Sequence, residues 1–553
     1  MHNQAFIQYL NTLHNVSADN RNAFTEENQK NPFFQKTRID REVGQYIASL
    51  LLSSQPFIFI LTGHAGDGKT GLLLQVLEQW HLLNDKKMAS IDEITMPNNK
   101  PCTYIKDFSD DNASARDRLM ATYKGYPADG KSVFLVANTG PLLSTFSNHF
   151  SKTAQIQLVT AIDENQGSIQ LYDDIPIAVI NVATIDNASF IRPFMERVLD
   201  ESCWEKCAFC EKASYCPIAI NRSLIKENFD RTISFIEKHY IWEQEHDRKL
   251  TIRQIVAHLS YSLTGGISCH EIKDSSHFLF QHLFFNVFFG YAGSVQNLNS
   301  AHIEGISSVL RARYDEKRLH ANEQLFINRD FSIFPQRIKS ILETEGSRSA
   351  FDKKWQSAVR RAYIMQNIDT NPQSQISLEE DIFSPWYPRF LKLRSGEKSV
   401  GRDNSLIHDA LFMIFMGSTS KDKSIPITMK RDSGIEQSVQ IVYETINKNK
   451  IKIEHQEIND FSTTKRYRLY LTVSGDRLTT PISLPLINYF NDTRNGAIAT
   501  NIDPLLSHGI DSLKAQMIAK CAPHDDELEL LYMNTSGWSS IAASFENGCW
   551  NIN

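Results

Sequence analysis

An apolar run that breaks into a glycine-rich turn and restarts as a leucine-rich segment constrains this chain more than any other feature. It runs from Phe57 to Leu77, FIFILTGHAGDGKTGLLLQVL. Gly63-His64-Ala65-Gly66-Asp67-Gly68-Lys69-Thr70 matches the P-loop pattern G-x-x-x-x-G-K-[ST] at every fixed position, and Gly71 follows it. Pro56–Leu61 predicts a buried strand and Leu72–Trp80 an amphipathic helix. In that context Gly63, Gly66 and Gly68 let the backbone turn tightly, so that its N–H groups approach phosphate oxygens. The following helix N-terminus adds partial positive charge at the same point. Lys69 would reach the β- and γ-phosphates, and the Thr70 hydroxyl would ligate Mg²⁺. ATP and Mg²⁺ are therefore the expected cofactors, held by the segment from Gly63 to Gly71.

At 553 residues the chain has room for roughly three or four domains. Its net charge of -6 does not mark it as a nucleic-acid binder by bulk electrostatics. The start, MHNQAFIQYLNTLHNV, has no basic stretch followed by an apolar core. No apolar run approaches ~18 residues, so a cytoplasmic protein without a membrane span is expected. The eight cysteines are then expected as thiols or metal ligands.

Residues 1–54 read as an N-terminal helical segment, ending in a helix over Arg41–Ser53. After the P-loop, strands are predicted at Cys102–Phe108, Ser132–Ala137 and Ile175–Val182, with a helix at Ala113–Tyr123. Apolar strands alternating with helices imply a parallel sheet covered on both faces, with ligands at the strands' carboxyl ends. The expected fold is thus α/β, with an AAA-like P-loop NTPase core over 55–200. A nucleotide hydrolase normally carries an acid at such a strand end. Here the third strand ends in Asn138 and the fourth in Asn181, while Asp107, Asp110 and Asp111 follow the second. Asn138, Asn181 or Asp107 would orient water or sense the γ-phosphate; equally, both asparagines could simply cap strand ends.

Residues 201–224 hold the second strong signal. Cys203, Cys207, Cys210 and Cys216 are spaced C-x₃-C-x₂-C-x₅-C. Four thiolates so close in sequence suit a structural Zn²⁺. An iron–sulfur cluster is the alternative, since Cys₄ suits it and Cys216-Pro217 is a familiar ending; unliganded thiols in a helical hairpin are the third reading. Residues 225–375 read as a helical lid domain. Leu250–Leu263 predicts a helix with Thr251 as N-cap and Gly265-Gly266 as its stop. Arg253 in its first turn would either reach the nucleotide phosphates or lie in solvent. Cys269-His270 resembles a metal pair without partners, which favours core packing. Phe278–Tyr291 reads as one aromatic-rich buried helix.

Residues 376–405 read as a linker whose basic cluster lies beside Trp386, Tyr387 and Phe390. Residues 406–553 predict an α+β interaction domain: a helix at His408–Met416, an antiparallel meander, helices at Leu484–Asn491 and Ile510–Cys521, and a last strand in HDDELELLYMN. A PD-(D/E)-x-K nuclease constellation is not found there.

In order, GHAGDGKT, YIKDFSDD, FLVANTGPLL, CWEKCAFCEKASYCPIAIN and LTIRQIVAHLSYSLTGG resemble the DptF family. These are the P-loop ATPase components of bacterial DNA phosphorothioation-dependent restriction, and the resemblance spans roughly Pro56 to Gly266. It implies an ATP-binding, ATP-hydrolysing subunit that acts with DptG-like and DptH-like partners on DNA lacking the phosphorothioate mark. It also implies that DNA contact and cleavage can lie in those partners. Related ATPases of other phage-defence systems share the P-loop and the A-N-x-G strand end, and a nucleotide-dependent scaffold that does not hydrolyse ATP is the rival reading.

Overall fold

The computed structural model describes residues 4–14, 31–52, 55–83, 88–349, 353–367, 378–417, 423–429, 439–496, 502–521, 527–534, 537–546 and 549–552. The chain divides into two compact units. The first is Met1–Ile382 with Asn459–Thr463, and the second is Phe383–Ile458 with Thr464–Asn553.

The first unit is built on a six-stranded mixed sheet. Its strands are β1 (Ile58–Thr62), β2 (Ile91–Thr95), β3 (Pro101–Ile105), β4 (Ser132–Val136), β5 (Ile169–Tyr172) and β6 (Ile175–Asn181), in the order β2-β3-β4-β1-β6-β5. The four central strands are parallel, and β2 and β5 pair antiparallel at the edges. The edge strands had no clear sequence signal: β2 carries IDEIT and is largely exposed. The central strand β1 is buried along its whole length. Its side chains alternate between two cores, as the pleat requires. Phe59 and Leu61 face a layer with Val43, Ile47, Leu72 and Val76. Ile58 and Ile60 face one with Met120, Leu142, Phe146 and Leu158. A strand buried on both faces reads as an unbroken apolar run, which explains why IFILT has no polar alternation.

Around this sheet the helices follow local signals closely. The helix Ala113–Tyr123 starts where Asn112 Oδ1 accepts from the Ala115 N–H at 2.9 Å. The helix Ile252–Thr264 begins at a capping box made by Thr251 and Gln254 and ends at Gly265 with φ 64°.

The expected single helix over Phe278–Tyr291 is instead two short helices, Ser276–Gln281 and Phe284–Val287, followed by the hairpin of β7 (Tyr291–Ala292) and β8 (Val295–Gln296). The break has a visible cause. The buried Asn221 side chain donates to His282 O at 2.8 Å and accepts from Phe284 N–H at 2.7 Å. Those backbone groups are thereby taken out of a helical ladder.

The expected linker over 376–405 is also corrected. Its start, through 377, lies outside the described residues, but the rest folds. Tyr387–Arg394 is a helix that buries Tyr387, Phe390 and Leu393, and Gly401–Met416 is a second. The basic cluster is partly neutralised: Arg389 pairs with the buried Asp403 at 2.6 Å and with Glu397. In the same unit the expected meander is divided between two sheets. β9 (Ser424–Met429) and β10 (Val439–Asn447) join β14 (Glu527–Asn534), β15 (Gly537–Glu546) and β16 (Cys549–Ile552) in the order β16-β15-β14-β10-β9. β11 (Ile451–Glu457), β12 (Tyr467–Val473) and β13 (Asp476–Pro481) form a separate antiparallel sheet. Residues 437–438 of the expected run 437–442 and residues 524–526 of HDDELELLYMN lie outside the described residues.

Among the described residues no helix is long and apolar enough to cross a membrane.

Candidate functional site

The strand β1 ends at Thr62, and the chain then turns through Gly63, Gly66 and Gly68 into the helix Lys69–Gln79. All three glycines have positive φ: 147°, 93° and 83°. At Gly63 the constraint is double, because an added Cβ would lie 2.6 Å from Val182 Cγ2 and 3.2 Å from the Ala183 nitrogen. The loop therefore needs glycine both for its backbone angles and for the space beside β6. Asp67, almost fully buried, holds the turn shut by accepting from the His64 N–H at 3.0 Å. The first bond of the helix ladder that follows runs from Leu72 N–H to Gly68 O at 3.0 Å. The N–H groups of Lys69, Thr70 and Gly71 precede that ladder, and with them the positive end of the helix dipole. Thr70 and Gly71 are half-buried, whereas His64 and Ala65 form the exposed tip.

Lys69 is the centre of the arrangement. Its ammonium donates to Gly63 O at 3.1 Å, to His64 O at 2.8 Å and to Asn138 Oδ1 at 2.8 Å. Burial lowers its pKa, the charges of Asp67 and Asp107 oppose that shift, and Arg253 adds to it. One lysine thus couples the loop electrostatically to the ends of β3 and β4 and to the helix Ile252–Thr264. Because β4 pairs directly with β1, Asn138 sits immediately beside the loop. Its backbone N–H donates to Ser109 Oγ at 2.7 Å, and Asp107 Oδ1 accepts from the Ser109 N–H at 2.9 Å. This short network places Asp107, Ser109 and Asn138 at one edge with Lys69.

Asn181 is different. Its backbone N–H donates to Asn165 Oδ1 at 2.8 Å, its Nδ2 to Ile162 O at 3.3 Å, and its Oδ1 accepts from Ala183 N–H at 3.0 Å. Every one of these bonds ties the end of β6 to its own surroundings. The expected water-orienting role of Asn181 is replaced by a structural one. Asp110 is exposed, and the Asp111 carbonyl accepts from the Arg116 guanidinium.

Arg253 enters from the other side. Its backbone N–H donates to Gly66 O at 3.2 Å, and an added Cβ on Gly66 would lie 3.4 Å from Arg253 Cβ and 2.9 Å from Thr251 Oγ1. Burial holds the Arg253 pKa below its usual value. Arg41 was not singled out from the sequence. Its guanidinium donates to Asp67 O at 3.2 Å, and burial brings its pKa down to about 10 against the pull of Asp67 and Asp186. Nothing local in GQYI-type helix sequence marks such an arginine; only its position at the start of the helix before the loop hints at it. Asn187 was likewise missed: it donates to Asp67 Oδ1 at 3.4 Å and to Leu250 O at 2.9 Å, and its own buried Oδ1 has no partner among the described residues.

Of the four expected metal ligands, three share the lining of one cavity. Cys203 is buried, with Sγ 4.0 Å from Arg197 O, and the charged groups around it are Lys36, Asp200 and Arg222. Cys207, Cys210 and Cys216 line a small cavity whose walls do not include Cys203. None of the eight cysteines forms a disulfide. Among the described residues no three His, Cys, Asp or Glu side chains gather tightly enough for a single metal ion.

Comparison with protein-family models, with curated proteins and with solved structures returns no match.

Proposed function

We propose that Gly63–Gly71 binds Mg·ATP and that the chain hydrolyses it slowly, as the regulated ATPase of a DNA-restriction complex. The observation that carries this reading is the contact of Lys69 with Asn138 at the end of the strand next to the loop. Strand, glycine turn, lysine and helix dipole supply a cradle for the triphosphate. Thr70 is then the protein ligand for Mg²⁺, and Lys69 moves from its carbonyl partners to the phosphates. Arg253 and Arg41 are the further cations at the loop. Asn138 holds the place where a carboxylate would strengthen the metal's grip, so its neutral amide implies slow turnover. Asp107 is the nearest acid to take over water positioning.

The DptF-like motif order supports the wider assignment: DptG-like and DptH-like partners, DNA reached through the complex, and discrimination against DNA that lacks phosphorothioate. A second reading follows from the same amide. If Asn138 makes hydrolysis negligible, ATP acts as a conformational switch and the chain as a scaffold.

Fluorescent-nucleotide titration and phosphate release separate the two readings. Lys69→Ala is expected to weaken ATP binding roughly 10- to 100-fold, corresponding to about 1.5–3 kcal/mol for a charged hydrogen-bonding partner, and to abolish turnover. Binding without turnover, with DNA and partners present, selects the switch. Wild-type affinity in Lys69→Ala removes both readings.

A further inference from the structure

Cys269 lies 53 residues beyond Cys216, yet both line the same cavity together with Cys207 and Cys210. The cavity measures about 20 Å³. That exceeds the roughly 10–15 Å³ that a single water requires. The other walls are apolar and include Ile7, Ile218 and Ile272. A polar contact also ties Cys269 to the cysteine segment. The Lys212 ammonium, from inside the cysteine segment, donates to Cys269 O and to Ile272 O, both at 3.3 Å. Cys203 is not among the residues that line this cavity.

We infer that Cys207, Cys210, Cys216 and Cys269 ligate an iron–sulfur cluster, with Cys203 outside the ligand set. A tetrahedral zinc site needs four sulfurs about 2.3 Å from one point. Here the thiols surround a space instead of closing on a point. A cubane cluster holds its four cysteines further apart than one ion does, and Cys₄ is its usual ligand set. The apolar shell would limit solvent access to the cluster. When a preformed [4Fe–4S]²⁺ cluster binds, each thiol gives its proton to solvent and each thiolate takes one iron, so that step involves no change in oxidation state. Backbone turns hold the segment ready: Cys210 N–H donates to Cys207 O at 3.2 Å, Ala213 N–H to Cys210 O at 3.0 Å, and Cys216 caps the helix Pro217–Glu227.

The site is remote from the P-loop but joined to it. The helix Ile252–Thr264 meets Gly66 at its start, and Cys269 follows just beyond its end. A cluster here would fasten the far end of the helix that carries Arg253. This ligand assignment does not depend on ATP binding.

The full-length chain should be purified without oxygen, then incubated with ferric iron, sulfide and a dithiol reductant, whose oxidation to the disulfide supplies the two electrons that bring four Fe³⁺ to the [4Fe–4S]²⁺ level. The expected product is brown, contains ~4 iron and ~4 acid-labile sulfide per chain, and bleaches with dithionite. Cys203→Ser should keep the full iron content, and Cys269→Ser should lose at least half of it. Because Cys269→Ser could also unfold the segment, wild-type protein is alkylated with iodoacetamide before and after reconstitution. Loss of labelling at Cys207, Cys210, Cys216 and Cys269, with Cys203 labelled equally in both states, supports the assignment. A colourless protein carrying about one zinc, protection of Cys203 in place of Cys269, or no bound metal overturns it.

Discussion

The P-loop and the cysteine cavity belong to the same folded unit, but they are assembled by opposite means. At the P-loop, contiguous residues create the geometry: three positive-φ glycines, an aspartate that closes the turn and a helix N-terminus within Gly63–Lys69. Distant residues such as Asn138 and Arg253 only complete it. At the cavity, three cysteines come from one short segment and the fourth from the turn after another helix. A site written in consecutive residues can be read before folding. A site closed by tertiary packing cannot, because nothing in local spacing says which of two cysteines, Cys203 or Cys269, the fold will bring home.

The helix Ile252–Thr264 connects the two sites, spanning about 20 Å at 1.5 Å per residue. Its buried midpoint offers the largest test of whether they form one mechanical unit. His258 Nε2 donates to Phe288 O at 2.9 Å while Nδ1 accepts from Tyr240 at 2.6 Å. His239, also buried, lies between Tyr314 at 2.7 Å and Ser308 at 2.8 Å. Burial lowers both pKa values, that of His258 to about 4. A folded pKa below the unfolded one means that the unfolded chain binds the extra proton, so stability falls as pH drops from about 6.5 towards 4. Each histidine contributes a slope of up to about 1.4 kcal/mol per pH unit. Glu243, raised by burial, works in the opposite sense and offsets part of the loss; Arg248 and Arg311 beside it lower His239 further. Thermal melts at pH 7, 6 and 5 should show a falling midpoint, with nucleotide binding lost in the same transition. A midpoint independent of pH over that range would break the link.

A smaller effect separates the two asparagines that the sequence presents alike. Asn181→Ala removes the Asn181 partner of the buried Ile162 O and of the half-buried Ala183 N–H. It should cost about 1–3 kcal/mol in denaturant unfolding and leave turnover per folded molecule near wild type. Asn138→Ala touches Lys69 instead. Its melting point should barely move, while ATP turnover falls roughly tenfold, about 1.4 kcal/mol in the barrier. Reversed outcomes would exchange their roles.

Much of the first unit was legible because its signals are local. The run IFILT, the cap at Asn112, and the start and stop of the helix at Thr251 and Gly265 all act over a few residues. Missed features depend on partners far away in sequence. Asn221 breaks the aromatic segment around Leu283 from across the fold, and Arg41 reaches Asp67 from the preceding helix. Arg361 shows the same limit: fully buried, it pairs with Asp315 at 2.9 Å and with Asn286 Oδ1 at 2.9 Å, and no pattern around RRAYIM announces it. In the second unit β9–β12 and β14 were visible as alternating or apolar runs, but β13, β15 and β16 were not, nor was the division into two sheets, since pairing is chosen by long-range packing.

The smallest expected effect lies where the connecting helix meets the loop. Thr251 N–H donates to Gln254 Oε1 at 2.8 Å and its hydroxyl accepts from the Gln254 N–H at 3.4 Å. The same hydroxyl lies close over Gly66. Thr251→Ala removes the cap and should cost about 1 kcal/mol, the usual size for such a loss. If the cap only stabilises the helix, ATP affinity is unchanged and the melting point alone falls by a few degrees. If it also fixes Arg253 against the loop, affinity falls several-fold and Thr251→Ser restores both properties. The cavity then distinguishes a local from a transmitted effect. Iron content after reconstitution should be the same in Thr251→Ala as in wild type, because the cap acts on the first turn and the cysteines lie beyond the last. Iron lost together with nucleotide affinity would mean that the helix moves as one rod, making the contiguous site and the assembled site two ends of a single element.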